Sequence, residues 1–147
     1  MNQKSLTTMK EDMFYINRCE ALGKAAAKKG NSPVGAVIIK DDKIISEAEE
    51  AVKSKNDITC HAEIEAIRIA IRKLNLTDLS ECILYTSHEP CIMCSYAIRY
   101  YKIKKIVFLN AVDYLGGTTS SMALLKSDDV PPNWGKPPQI VHLKSDS

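Results

Sequence analysis

The sequence predicts an α/β sandwich built on a mixed β-sheet. Three observations support this fold class. Short apolar segments are rich in β-branched residues, segments of helical periodicity alternate with them, and a hairpin precedes the alternation. Such alternation favours helices layered on a sheet, and the hairpin adds antiparallel pairing. The 147 residues contain no repeat and no linker, so we expect a single domain over residues 1–147.

The N-terminal part of the chain is expected to form a helix followed by the hairpin. The helix is predicted over residues 12–29, and Gly30 and Asn31 supply its stop signal. Its apolar residues recur at helical spacing and are Phe14, Ile16, Cys19, Leu22, Ala25 and Ala26. Residues 33–40 are typical of a strand, residues 41–43 of a turn, and residues 44–48 of the returning strand.

The middle of the chain is expected to alternate between helices and buried strands. Residues 49–59 are polar and predict a loop, and a helix follows over residues 61–74. A strand is predicted at 82–87, a helix at 90–101 with Pro90 in its first turn, and a strand at 105–109. One face of the helix at 61–74 carries Ile64, Ile67, Ile71 and Leu74, and Glu63, Arg68 and Arg72 lie elsewhere.

The C-terminal region carries weaker signals. Residues 116–121 predict a loop, residues 122–126 one or two helical turns, and residues 139–143 a final strand. Between them, residues 127–138 form a Pro-rich, irregular tail with the single tryptophan, Trp134. A tryptophan there either stacks on a base over a pocket or, more commonly, fastens the tail to the domain surface.

Charge and composition restrict the functional classes. The net charge of +2 arises from 20 basic and 18 acidic residues, which is too balanced to predict nucleic-acid binding. The basic, aromatic segment 100–105 is interpreted as a solvated helix end, with contact to a phosphate backbone as the alternative. No apolar run has the roughly 20 residues of a membrane span, and residues 1–11 lack the apolar centre of a secretory signal. We expect a cytoplasmic protein.

The cysteines divide into two groups. Five cysteines without an export signal argue against a disulfide framework, and Cys19 and Cys82 have the apolar neighbours of core residues. Cys91 and Cys94 differ, because a spacing of three on a helix projects both sulfurs from one face. In a first turn the free N–H groups and the helix dipole favour thiolate, the form that binds metal.

A third ligand is available at the start of the preceding helix. His61 adds an imidazole to the two thiolates, and this set suits zinc. Structural zinc has four protein ligands, whereas catalytic zinc keeps one position for water. We expect no fourth ligand here, because His88 precedes the helix and Cys60 diverges from His61 by about 100°. Glu63, two residues beyond His61, is placed to accept a proton from activated water and return it to a substrate.

Each fragment has a simpler interpretation when taken alone. His-x-Glu occurs by chance at helix N-termini, and Cys-x-x-Cys also serves as a redox pair or as half of a structural zinc site. Here the two fragments stand at successive strand-to-helix junctions, which favours a catalytic centre. Together they match the signature of zinc deaminases, His-x-Glu followed by Pro-Cys-x-x-Cys.

On these motifs the chain resembles the cytidine-deaminase-like superfamily, most closely the branch of bacterial tRNA adenosine deaminases and small guanine deaminases. The similar stretch runs from about residue 33 to 125 and includes residues 33–37, 56–57, 61–64, 83–86 and 89–94. The resemblance implies a three-layer α/β/α sandwich with five strands, one zinc ion per chain, and homodimers or larger assemblies. It carries the zinc ligands to His61, Cys91 and Cys94, the proton shuttle to Glu63, and a substrate contact to the backbone N–H of Ala62.

Two departures from the family bear on the substrate. Relatives usually have an asparagine that contacts the base where this chain has Glu50, and a carboxylate only accepts hydrogen bonds. Glu50 therefore either accepts N–H donors of a guanine-like base or points to solvent beside Glu47 and Glu49. The tRNA-editing relatives continue past the last strand into a basic C-terminal helix, which we do not expect here, and with the near-neutral charge this favours a small substrate. Asp113 and Tyr114 are candidate rim residues by position alone.

The leading hypothesis is therefore zinc-dependent hydrolytic deamination of an exocyclic amine on a nucleobase or nucleoside, with a guanine-type purine as the favoured small-molecule substrate. A tRNA-editing adenosine deaminase, acting on an adenosine flipped from an anticodon loop, is the alternative. A non-catalytic zinc-binding subunit is a second alternative, against which the presence of Glu63 argues.

Overall fold

The computed structural model describes residues 3–144, with side chains from residue 8 onward. One five-stranded sheet forms its centre, in the order β2-β1-β3-β4-β5. The strands are β1 (Gly35–Lys40), β2 (Lys43–Glu49), β3 (Cys82–His88), β4 (Lys105–Asn110) and β5 (Gln139–His142). The α-helices are α1 (Gln3–Lys28), α2 (Val52–Lys55), α3 (Ala62–Leu74) and α4 (Ile92–Tyr100).

The sheet is mixed, as the sequence predicts. β1 pairs antiparallel with both β2 and β3, and the hairpin connection accounts for the first of these pairings. β3, β4 and β5 are parallel to one another. The carboxyl end of β3 consequently lies beside the carboxyl end of β4, with His88 opposite Asn110. The candidate site is built at this edge.

Helices cover both faces of the sheet, which confirms the three-layer α/β/α fold. On one face, Ile16 and Cys19 of α1 pack against Val37, Tyr85 and Val107. The other face packs against α3 and α4, in a cluster that includes Ile38, Ala66, Ile67, Cys82, Leu84, Ile98 and Ile106. The central strands are buried on both sides, so they read as continuous apolar runs rather than alternating ones. Cys19 and Cys82 are core residues, as predicted.

The first helix differs from its prediction in two respects. α1 begins at Gln3, nine residues before the predicted start at residue 12, because the preceding polar residues include no helix breaker and hydrophobic periodicity detects only the buried part of a helix. Phe14, which was assigned to the buried face, has 64% of its surface exposed and meets Tyr15 edge-on. That face is carried by Ile16, Cys19 and Ala26 instead.

The two helices that carry the candidate ligands begin later than predicted, α3 by one residue and α4 by two. His61 is the N-cap of α3, and Cys91 is the N-cap of α4, so Pro90 precedes the helix and does not lie in its first turn. In α3 the fully buried positions include Ala62, Ala66 and Ala70, whereas Ile64, Ile71 and Leu74 are only partly buried. Small alanine side chains let α3 lie close to the sheet. The loop at 49–59 also contains the single turn of α2.

The C-terminal region has no helix at residues 122–126, contrary to the prediction. These residues form hydrogen-bonded turns, in which Leu124 N–H donates to the carbonyl of Met122. The guanidinium of Arg99, only 1% exposed, donates to the carbonyls of Leu124, Ser127 and Gly135 and so ties this segment to α4. Residues 127–138 are irregular apart from a short 3-10 turn at Pro132–Trp134. Among the described residues, no helix is long and apolar enough to cross a membrane.

Candidate metal centre and catalytic cavity

Three side chains from two helix starts converge at one edge of the sheet. His61 caps α3 and Cys91 caps α4, while Cys94 lies in the first turn of α4. The Nδ1 atom of His61 is 3.5 Å from the Sγ atom of Cys91 and 3.5 Å from that of Cys94. All three ligand atoms lie within 4.8 Å of one another. The chain thus brings together residues that are about 30 positions apart in sequence.

The geometry of these atoms fits a tetrahedral zinc ion. With Zn–N near 2.05 Å and Zn–S near 2.3 Å, a tetrahedral centre separates nitrogen from sulfur by roughly 3.5 Å. Within residues 3–144, no further histidine, cysteine or carboxylate joins the group. His88 instead turns its Nδ1 toward the Ser87 hydroxyl, and Cys60 lies near Arg68. The donor set therefore has the three protein ligands that are typical of a catalytic zinc site.

A hydrogen bond links the side chains of Cys91 and Cys94. A hydrogen bond from the Cys94 thiol lowers the pKa of Cys91 to about 4, and donating that bond, together with burial, raises the pKa of Cys94. The hydrogen bond with Cys91 likewise raises the pKa of His61. A bound divalent cation favours thiolate at both sulfurs and neutral imidazole at His61. Binding of a metal ion would therefore displace protons from these three side chains.

Glu63 lies beside the three ligand atoms without being one of them. Its side chain is only 4% exposed, and burial raises its pKa to about 7. A carboxyl group with a pKa close to the working pH both accepts and donates protons efficiently. A cation at the neighbouring ligands would favour the ionised form, which is the form needed to accept a proton.

A cavity of about 220 Å³ opens over this group. Its wall combines the polar groups of the centre with apolar contacts, and it is lined by Ser32, Val34, Glu50, His61, Ala62, Glu63, His88, Glu89, Cys91, Val112 and Tyr114. Its volume is below the roughly 300–1,000 Å³ of pockets for drug-sized ligands. A single heterocyclic base is the size of ligand that it suits.

The structure places Glu50 in the cavity wall and not in solvent. It follows β2, is 7% exposed, and its Oε1 accepts the backbone N–H of Val52 at 2.6 Å. The acidic neighbours Glu47 and Glu49 pair instead with Arg18 and Lys29 on α1 and in the turn after it. Glu50 lines the catalytic cavity and also borders a neighbouring cavity that includes Glu47 and Glu49, and its contact with a substrate stays a prediction.

Of the other candidate substrate contacts, some line the cavity and others do not. Ala62 is fully buried and lines the cavity, as does Tyr114, whose side chain is 85% exposed at the rim. Asp113 is exposed and is not among the lining residues. Trp134 lies outside this cavity, where it packs edge-on against Tyr96 at 4.6 Å between ring centroids. It therefore fastens the tail to α4, the alternative that the sequence left open.

Sequence reasoning missed the role of Glu89, which was noted only as part of the cysteine motif. Its carboxylate is buried and accepts N–H and hydroxyl hydrogen bonds from Thr118 and Thr119, and a further N–H from Val112. Burial alone raises the pKa of Glu89, but these hydrogen bonds hold that pKa below its usual value. A Cβ at Gly116 would collide with this carboxylate. The sequence Gly116-Gly117-Thr118-Thr119, small residues followed by hydroxyl donors, was the available signal.

Comparison with known proteins identifies the family. Residues 9–110 match the profile of the cytidine and deoxycytidylate deaminase zinc-binding region. The chain belongs to this family of zinc-dependent deaminases. Its members are hydrolases that act on C–N bonds, and zinc is the metal that the geometry of His61, Cys91 and Cys94 fits.

Similar curated proteins within the family fall into two groups. A tRNA-specific adenosine deaminase of Aquifex aeolicus is 45% identical over 112 residues, covering 76% of this chain and 74% of the relative. A guanine deaminase of Bacillus subtilis is 45% identical over 98 residues, covering 66% of this chain. The chain spans only 62% of that guanine deaminase, less than two thirds of its length.

Solved structures show the same division. A structure from a study of A-to-I editing by tRNA:A34 deaminases superposes with a TM-score of 0.80 at 26% identity, covering 89% of this chain and 98% of the other. The X-ray structure of the Bacillus subtilis guanine deaminase gives a TM-score of 0.64 at 38% identity, covering 76% and 66% of the two chains. These similarities support the deaminase family, and they do not separate the two substrate classes.

Proposed function

We propose that this deaminase removes an exocyclic amine from a small nucleobase or nucleoside, a guanine-type purine. The observation that carries the proposal is the buried carboxyl group of Glu63 beside a group of three potential zinc ligands, which no fourth ligand joins within the described residues. In this proposal His61, Cys91 and Cys94 hold the ion. When bound, zinc supplies Lewis-acid activation of a water molecule, which makes water nucleophilic near neutral pH.

The residues of the chain then transfer protons and orient the base. Water adds to the amine-bearing carbon, the C–N bond breaks, and ammonia leaves, so that oxygen replaces nitrogen. Glu63 takes one proton from the attacking water and delivers it to the ring nitrogen. It then takes the proton of the newly formed hydroxyl group and delivers it to the amine, which leaves as ammonia with the electrons of the C–N bond while the oxygen forms the new C=O. The backbone N–H of Ala62 is a free donor at the start of α3 and is expected to orient the base. The walls of the cavity exclude bulk water during these transfers.

Two observations support a guanine-type substrate. The cavity of about 220 Å³ suits one base, and Glu50 presents a carboxylate in its wall. An ionised carboxylate accepts N–H donors and repels the lone pair of an unprotonated ring nitrogen. Guanine carries such donors next to its reactive amine, whereas adenine has an unprotonated nitrogen at the corresponding position.

The tRNA-editing alternative remains a second candidate function. It is favoured by the similarity to the Aquifex aeolicus enzyme and by the superposition that covers 98% of a structure from tRNA:A34 deaminase work. The alternative predicts salt-sensitive binding of a tRNA anticodon stem-loop, because phosphate contacts release counterions. Binding no tighter than that of a random oligonucleotide would eliminate it.

An ammonia-release assay tests the proposed function. Zinc-loaded protein is incubated with guanine, adenine, cytosine, their nucleosides and an adenosine-containing anticodon stem-loop. We expect release from guanine or a close analogue, and a decrease in kcat of about 10²–10⁴-fold in Glu63→Gln with zinc retained. Release from the stem-loop alone would establish the editing alternative, and release from none would refute both.

A single domain, a homodimer and a cytoplasmic location are further predictions of the sequence.

A further inference from the structure

His88 lies in the wall of the catalytic cavity, yet the proposed chemistry gives it no role. It ends β3, three residues before Cys91, and its ring is half-buried. It does not belong to the metal-ligand group. The cavity wall around it includes the apolar residues Val34, Ala62 and Val112 and the acidic residues Glu50 and Glu63.

The hydroxyl group of Ser87 determines which nitrogen of the His88 ring carries the proton. Nδ1 of His88 lies 3.2 Å from Oγ of Ser87, and this Oγ already accepts the backbone N–H of Gly35 at 3.1 Å. Ser87 is 2% exposed, so its own proton needs an acceptor inside the protein, and Nδ1 supplies one. Nδ1 is then unprotonated and the ring proton resides on Nε2. Burial, partly opposed by the charge of Glu20, lowers the pKa of His88.

The Nε2 atom is accessible. Within the described residues, the buried side-chain nitrogen and oxygen atoms that lack a hydrogen-bond partner are Glu49 Oε2 and Arg99 Nε. Nε2 of His88 has no hydrogen-bond partner among the described residues and is not one of these buried atoms, and the residue lines the cavity. Oε2 of Glu50 is likewise absent from these buried atoms, while Oε1 accepts the backbone N–H of Val52, and Glu50 lines both this cavity and a neighbouring one.

We infer that His88 determines specificity by donating its Nε2–H to a carbonyl oxygen of the substrate, while Glu50 accepts the adjacent ring N–H. Together the two side chains complement a lactam edge, the N–H and C=O pair of guanine. Adenine and 2,6-diaminopurine present a bare nitrogen and an amine at that edge, the reverse of what this wall matches. The inference rests on the proposed function and names the substrate class that the site selects.

The substrate pair of guanine and 2,6-diaminopurine isolates the lactam edge, because both carry the same 2-amino group. We expect the wild-type protein to prefer guanine in kcat/KM, with products identified by chromatography. His88→Leu should lower kcat/KM for guanine roughly 10- to 100-fold and leave that for 2,6-diaminopurine nearly unchanged. His88→Gln keeps an N–H donor and should restore part of the preference.

A binding measurement separates recognition from chemistry. Hypoxanthine has the lactam edge without the 2-amino group, and purine has neither. Calorimetry on zinc-loaded protein should give tighter binding of hypoxanthine than of purine, and His88→Leu should remove the difference. His142→Leu is the matched control, because His142 stacks on Phe108 outside the cavity, and its kinetic constants should equal those of the wild type.

Each remaining outcome is decisive. If guanine is deaminated and His88→Leu keeps the full preference for guanine, the role of His88 is refuted while the proposed function stands. A wild-type preference for 2,6-diaminopurine or adenine would also overturn the inference and leave deamination intact. If no base and no nucleoside releases ammonia from zinc-loaded protein, the proposed function itself fails.

Discussion

The carboxylate of Glu89 accepts both the backbone N–H and the hydroxyl of Thr118, at 2.9 and 2.8 Å, across 29 residues of sequence. This contact joins the residue next to the metal-binding Pro90-Cys91 segment to the loop after β4. The same loop supplies Val112 and Tyr114 to the cavity. The cavity rim and the start of α4 are therefore held by one buried acid.

Glu89→Gln should loosen the cavity rim. The amide replaces one acceptor oxygen with a donor, which opposes the N–H and hydroxyl groups of Thr118 and Thr119. We expect the free energy of unfolding to decrease by about 1–3 kcal/mol and KM to increase more than kcat decreases. Thr118→Ser keeps both donors and serves as the control. An unchanged KM in Glu89→Gln, measured by steady-state kinetics, would contradict the positioning role.

Tyr85→Phe should destabilise the face of the sheet covered by α1. The Tyr85 hydroxyl donates to Oδ1 of Asp12 at 2.8 Å, and both residues are buried. Removing the hydroxyl takes this donor away from the buried carboxylate, and the ion pair with Lys105 at 3.6 Å remains. Denaturant titration should give a loss of about 1–3 kcal/mol. A variant as stable as the wild type would mean that the bond contributes nothing.

The same tyrosine predicts the behaviour of the protein in alkali. Burial, followed by the hydrogen bond to Asp12, raises the pKa of Tyr85 above its ordinary value. A group with a raised pKa in the folded state contributes stability that is complete below the unfolded pKa, near 10, and is lost as pH increases through the folded pKa. Unfolding free energies should therefore decrease above pH 10, and less steeply in Tyr85→Phe. Parallel curves for the two proteins would exclude this linkage.

Arg99→Leu should release the C-terminal segment from α4. The buried guanidinium satisfies three backbone carbonyls at once, and no other described side chain donates to these carbonyls. Leucine preserves the bulk but leaves the carbonyls unpaired, at a cost of about 3 kcal/mol. Amide hydrogen exchange should accelerate over residues 122–135 before it changes in the sheet. Uniform exchange across the whole chain would assign Arg99 a purely global role.

The sequence predicted those features that depend on local patterns. The hairpin and the strand-to-helix junctions follow from periodicity and spacing within short windows. The convergence of His61 with the two cysteines, about 30 positions away, was predicted instead from the match to the zinc-deaminase signature. Features that depend on distant contacts escaped prediction. Phe14 has the spacing of a core residue, but α1 turns it to solvent, and the acceptors of Arg99 lie 25 to 36 residues away. The hydrogen bonds of Glu89 escaped prediction for the same reason. Their donor Thr118 lies 29 residues later in sequence, beyond β4.

Metal analysis of three purified proteins tests the zinc centre most directly. The wild-type protein and Glu63→Gln should each contain one zinc ion per chain, because Glu63 stands beside the ligand group and not within it. Cys94→Ser should lose most of its zinc, since a hydroxyl replaces one of the three protein ligands. A wild-type protein without zinc, or a Cys94→Ser protein that retains the ion in full, would contradict the assignment of these ligands.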